Sequence, residues 1–97
     1  MKIEYHPALE QELQDVIDFY NERSKGLGTD FLNEFERQVL KIAENPLQWT
    51  AVEDGVRRSM IKRFPFVIYF RIIEQNWIRI TVVKHQRRHP IRGINRR

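Results

Sequence analysis

Apolar residues recur along this chain at two periods, and the change from one to the other falls near Pro46. Lys2 to Tyr5 sets Ile3 and Tyr5 against Lys2 and Glu4, the alternation of a short strand. Pro7 suits the first turn of a helix, where a missing N–H leaves no partner unbonded. From there Leu9, Leu13, Val16, Ile17 and Tyr20 follow helical spacing, with Glu10, Glu12, Asp15, Asp18 and Glu22 mostly on the other face. Gly26 and Gly28 are expected to end this helix, since glycine readily takes the left-handed cap conformation. A second helix is expected to start near Thr29 or Asp30, whose side chains can cap free N–H groups. Its stripe is Phe31, Phe35, Val39 and Ile42, and Asn45-Pro46 stops it because a residue before proline avoids the helical region. Two helices joined by a glycine-containing turn predict an antiparallel hairpin.

Beyond Pro46 the period becomes two. Residues 56–62 form one candidate strand, with Val56 and Met60 or Ile61 available for burial. In residues 66–73 one face carries Phe66, Ile68, Phe70 and Ile72, and the other carries Val67, Tyr69, Arg71 and Ile73. In residues 77–85 Ile78, Ile80 and Val82 oppose Trp77, Arg79, Thr81, Val83 and His85. Glu74-Gln75-Asn76 connects the two strands, with Asn76 suited to a left-handed position. Matching apolar faces puts Ile72 opposite Ile78, Phe70 opposite Ile80 and Ile68 opposite Val82. The helical hairpin then docks on that face. The same register sets Arg71 against Arg79, and Tyr69 against Thr81, on the far side. Two arginines across a strand pair repel each other, so an open face bearing them implies an anionic ligand. On that reading, replacing both by alanine keeps or improves stability. The fold class expected is α+β: an N-terminal strand, an antiparallel helical hairpin, then an antiparallel sheet packed on the helices.

A chain of 97 residues suits one domain spanning residues 1–97. It has no cysteine, which excludes disulfides and thiolate metal sites and fits a reducing cytoplasm. The N-terminus has no apolar run of signal-peptide length, and the uncharged stretch 64–70 is far too short to span a bilayer. The formal net charge of +4 conceals an asymmetry: residues 1–55 sum to −7 and residues 56–97 to +11. Attraction between the halves absorbs part of this, but several arginines are left over for an anionic partner. The last residues, 87–97, are too basic for a core and are expected to run over the surface.

Three residue sets can carry function. Arg57, Arg58, Lys62, Arg63, Arg71 and Arg79 stud the strands with planar forks suited to phosphate or carboxylate. A solvated sheet face is the plainer alternative. His85, with Lys84, Arg87 and Arg88, closes the last strand. It could serve as a general acid or base in RNA cleavage, or equally as a hydrogen-bonding surface residue. Trp49, Trp77 and Tyr69 are rings able to stack on bases, although Trp49 is better read as packing under the connection after the second helix. His6, His85 and His89 lack metal-site spacing, no phosphate-cradling glycine loop is present, and Ser24 and Ser59 lack a nucleophile elbow. No metal and no cofactor is expected.

Three strings, in order along nearly the whole chain, converge on a family. The first is Ala8-Leu9-Glu10-Gln11-Glu12-Leu13 leading to Asp18-Phe19-Tyr20. The second runs from Phe31 and Phe35 to Ile42 and Asn45-Pro46. The third joins Val56-Arg57-Arg58, Phe64-Pro65-Phe66-Val67-Ile68-Tyr69-Phe70, and Val82-Val83-Lys84-His85 with Arg88, His89 and Pro90. In these the chain resembles the RelE/ParE-type toxins of bacterial type II toxin–antitoxin systems.

The resemblance implies a cytoplasmic, plasmid-stabilising toxin held inactive by a cognate antitoxin, with no membrane association. The assembly stays open between a homodimer and a toxin–antitoxin hetero-oligomer. RelE-like members cleave messenger RNA in the ribosome, whereas ParE-like members inhibit DNA gyrase. RelE-like nucleases commonly place an arginine immediately before the apolar run of the central strand; here Pro65 and Phe66 stand there, and no tyrosine follows Tyr69. The Phe-Pro-Phe string and the histidine–arginine–proline ending look more like the ParE branch. The expected target-binding set is Arg57, Arg58, Lys62, Tyr69, Arg71, Arg79, Arg87 and Arg88. The alternative is a ribosome-dependent endoribonuclease using Arg63, His85 and Arg88, and a second alternative is a non-toxic nucleic-acid-binding module on the same fold.

Overall fold

A computed structural model describes residues 1–87 and 93–97. Strand β1 (Lys2–Tyr5) leads into α1 (Leu9–Arg23) and α2 (Leu27–Glu44). A single 3-10 turn (Pro46–Gln48) precedes β2 (Thr50–Ala51), β3 (Val56–Met60), β4 (Phe66–Glu74) and β5 (Trp77–His85). The expected order of strand, hairpin and sheet holds; β2 and the 3-10 turn are additions that no periodicity in so short a stretch announces. Asn76 does take a left-handed conformation in the β4–β5 turn, with φ 60°.

The helix boundary differs from expectation for a packing reason. Helix α2 begins at Leu27, so Gly28 lies inside its first turn and terminates nothing. A Cβ at Gly28 would sit 2.2 Å from the carbonyl oxygen of Ile17, so the missing side chain lets the two helices touch. Its N–H donates to Asn21 Oδ1 at 2.8 Å, which locks the same contact. Gly26, at φ 84°, is the residue that turns the chain.

The strands form one five-stranded sheet in the order β1-β5-β4-β3-β2. Strand β1 runs parallel to β5, and every other pair is antiparallel. A parallel neighbour needs a crossover, which the helical hairpin supplies while covering one face. There Leu9, Phe31, Phe35, Val39 and Ile42 pack on Ile61, Phe64, Ile68, Phe70, Ile78 and Ile80. Each such side chain contributes on the order of 2 kcal/mol by leaving water. Val56 and Ile61 are buried as expected, whereas Met60 is exposed.

The register follows expectation for Ile72↔Ile78, Arg71↔Arg79 and Phe70↔Ile80, and then slips. A bulge at Thr81 sets Tyr69 opposite Val82, not Thr81, and Ile68 opposite Val83, not Val82. Thr81 is fully buried, and its hydroxyl donates to the Tyr69 carbonyl at 3.2 Å. An extra residue in one strand reverses the alternation beyond it. Val83 joins the helix-side core and His85 faces Phe66 there, while Val82 turns to the far side. That far side carries a second core of Val56, Val67, Tyr69, Val82 and Ile94. The expectation that the last residues merely cross the surface is therefore corrected for residues 93–97, where Ile94 is 1% exposed. Arg88, His89 and Pro90 lie outside the described residues.

Candidate interaction surface

Most of the described cations of the C-terminal half fall into two groups with different surroundings. At one end of the sheet Arg71, 6% exposed, donates from Nε to the Arg96 carbonyl at 3.2 Å and from Nη2 to the Asn95 carbonyl at 3.1 Å. Its Nη1 donates to the Asp54 carbonyl. Burial pushes the Arg71 pKa down, Arg97 acts in the same direction and Asp54 opposes both. Arg79 donates to the Arg97 carbonyl at 3.0 Å and stands 3.6 Å from Glu4 Oε1. Arg96 grips Glu12 of α1 through both carboxylate oxygens, at 2.9 and 3.0 Å, and also donates to the Thr81 carbonyl. This two-bond contact with Glu12 raises the Arg96 pKa.

Arg71 and Arg79 were expected on an open face, side by side and repelling. The structure corrects this: they hold the chain's own residues 95–97 over the second core. Removing both would leave carbonyls without donors, so the expected gain in stability loses its premise. Tyr69, expected to stack on a ligand, is 2% exposed and belongs to that second core. Arg57, expected among the docking cations, turns to the helix side and donates to the Trp49 carbonyl at 2.8 Å. It fastens the connection after α2. Trp49 packs against the main core, and Lys2 Nζ sits 4.1 Å over the Trp77 ring.

At the opposite end of the sheet Lys62, Arg63 and Arg87 are exposed, and so is Arg58 in mid-β3, one register step from Arg71 towards that end. Lys62 and Arg63 lie in the β3–β4 turn, and the Gln86 N–H donates to the Pro65 carbonyl at 2.9 Å. That bond brings the exit of β5, with Arg87, against the turn. Lys84 is in register with Val67, which is in register with Met60, on the same side of the sheet as Arg58. Among the described residues none of Arg58, Lys62, Arg63 and Arg87 forms an ion pair with a carboxylate. Arg63 has φ 73°, and its guanidinium lies 5.7 Å from the Phe64 ring.

His85 accepts a bond on Nδ1 from the Arg87 N–H at 3.1 Å and meets the Phe66 ring edge-on at 5.3 Å. With Val16, Phe19, Tyr20, Phe66 and Val83 it lines a cleft of about 440 Å³, rimmed by Asp15 and Lys84. Sequence reasoning missed this cleft because it placed His85 on the far side. The signal was Val82-Val83, two consecutive apolar residues that break the alternation where the bulge falls. Arg63 and His85 thus share one end of the sheet, and Arg88 is outside the described residues. Among the described residues no three of His, Asp and Glu converge as metal ligands would, and no helix is long and apolar enough to cross a membrane.

A strand, a helical hairpin and an antiparallel sheet with the first strand added alongside the last define the RelE/ParE-type toxin fold. The chromosomal ParDE toxin–antitoxin system from P. aeruginosa contains a chain of this shape, with a TM-score of 0.76. The match covers 88% of this chain and 95% of that one, at 19% sequence identity. The sequence profile of the ParE toxin of type II toxin–antitoxin systems, parDE, matches residues 3–90, and the chain belongs to that family. No curated protein sequence matches it significantly.

Proposed function

We propose that this toxin acts by binding, with DNA gyrase as its target, and that a cognate antitoxin holds it inactive in the bacterial cytoplasm. The observation that carries the reading is the sheet end where Arg58, Lys62, Arg63 and Arg87 stand exposed without carboxylate partners among the described residues. Binding surfaces of this kind steer an anionic partner and need no reacting group. The strand entrance supports binding over cleavage, because Pro65 and Phe66 occupy the place where a nuclease of this fold would set an arginine.

The second reading, a ribosome-dependent endoribonuclease, draws on Arg63 and His85 lying at the same end of the sheet. The test is a supercoiling assay with purified gyrase and relaxed plasmid, run beside transcript mapping in cells that express the protein. Inhibited supercoiling with intact transcripts supports the gyrase reading. Transcripts cut on ribosomes while supercoiling proceeds would overturn it in favour of the nuclease. Growth that never slows in cells holding folded protein would favour the non-toxic nucleic-acid-binding module.

A further inference from the structure

The exposed cations at the β3–β4 turn have a chemistry of their own, which rests on the gyrase reading and goes one step past it. We infer that this end of the sheet docks on the phosphate backbone of duplex DNA, so that the toxin touches the nucleic acid as well as the enzyme that handles it. Three cations are gathered there, Lys62 and Arg63 from the turn and Arg87 from the exit of β5, and Arg58 in mid-β3 extends the row along the sheet, making four. Arg58 projects from a paired strand, and the bond from the Gln86 N–H to the Pro65 carbonyl holds the exit of β5 against the turn that bears the others. Positions two apart on β3 are about 7 Å apart, and Lys84 stands about 10 Å from Met60 across two strand spacings.

The surroundings of these cations separate the possible anions. Single strands and RNA loops are held by rings that stack on splayed bases. The rings named above for stacking are all occupied: Tyr69 is buried, Trp49 packs on the core, and Trp77 lies under Lys2. Phe64 in the turn is 7% exposed. A protein held at this patch by burial would need large apolar anchors at its centre, so the enzyme itself is steered here by charge and not anchored. Met60, 43% exposed, is the large apolar side chain that the described residues offer among these cations. The exposed ring at this end, Phe19 at 45%, lines the cleft on the helix-covered side, opposite Arg58. On Arg58's own side, with Met60 as the apolar centre, the cations fit a polyphosphate backbone read by charge and shape, which is duplex DNA.

Phosphate contacts carry a measurable signature, because each releases counterions and steepens the dependence of affinity on salt. The test measures fluorescence anisotropy of a labelled DNA duplex of about 20 base pairs with the folded toxin over a salt series. Four contacts predict a slope of log affinity against log salt of about −3 to −4. The variant R58Q/K62Q/R63Q/R87Q should bring the slope close to zero and weaken binding at least tenfold at about 50 mM salt. Arg63 has a left-handed backbone, so R58Q/K62Q/R87Q serves if the quadruple variant does not fold; it should leave a slope of about −1. Supercoiling inhibition by the same preparations keeps the two readings apart. A toxin that inhibits gyrase but binds no duplex, or whose variants bind duplex equally well, overturns the DNA contact and leaves an acidic protein surface as the target. Duplex binding without gyrase inhibition upholds the DNA contact and overturns the gyrase reading. Tighter binding to a single strand or an RNA hairpin of equal length overturns the choice of duplex.

Discussion

Arg71 and Arg58 stand on the same side of one sheet, on neighbouring strands and one register step apart, and they are put to opposite uses. Arg71 lies beneath residues 93–97 and gives its donors to carbonyls of the chain itself, whereas Arg58 faces solvent. Arg79 shares the first condition, and Arg96, within the covering segment, is held by the Glu12 carboxylate; Lys62, Arg63 and Arg87 share the second. Positive charge alone therefore says little about use. A guanidinium covered by its own chain is a fastener, and one left in water is available to another molecule. Stability should concentrate at the clamped end and recognition at the bare end.

The sharpest way to break this comparison is Arg71→Met. It removes three charge-assisted bonds to the carbonyls of Asp54, Asn95 and Arg96 and should cost about 3 kcal/mol, lowering Tm by roughly 10–20 °C in a thermal melt. An unchanged melt would dissolve the distinction between the ends. Ile94→Ala should follow at about 2 kcal/mol in urea unfolding, because it empties the centre of the second core. Glu12→Gln removes the carboxylate that Arg96 grips, a partly exposed pair, and should cost about 0.5–1 kcal/mol, less in high salt.

A pH series isolates the helix side from both ends. Burial raises the Tyr5 and Tyr20 pKa values above 10.0, with Glu36 adding to the first and Arg23 opposing the second. The folded state then keeps phenol protons that the unfolded chain loses. Stability from these groups is complete below about pH 10 and falls as pH rises through the folded values. Urea unfolding should show that fall in Arg71→Met and lose it in the double variant Tyr5→Phe, Tyr20→Phe. The smallest effect belongs to the bare end: Arg58→Gln and Lys62→Gln should each change stability by less than about 0.5 kcal/mol.

Much of the fold was legible in residue order. The helical stripe Phe31, Phe35, Val39 and Ile42 is the buried face of α2, and the alternation from Trp77 ends at His85 as β5 does. The site was less legible. Periodicity marks which residues share a face only while the alternation is unbroken, so the bulge at Thr81 misplaced Val82, Val83 and His85 together. Residues 93–97 misled for another reason: Ile94, surrounded by charge, has no period by which to be recognised as a core residue. Glu12 sits among other acids on α1, and nothing local distinguishes it as the partner of Arg96.

The order of elements, the helix-facing core and the excess of positive charge after residue 55 belong to the sequence, because each follows from spacing or composition within a short window. Which arginines stay free was settled only in three dimensions. That choice depends on carbonyls and carboxylates brought from distant parts of the chain, such as Glu12 to Arg96 and Asp54 to Arg71, and no local pattern encodes so long a reach.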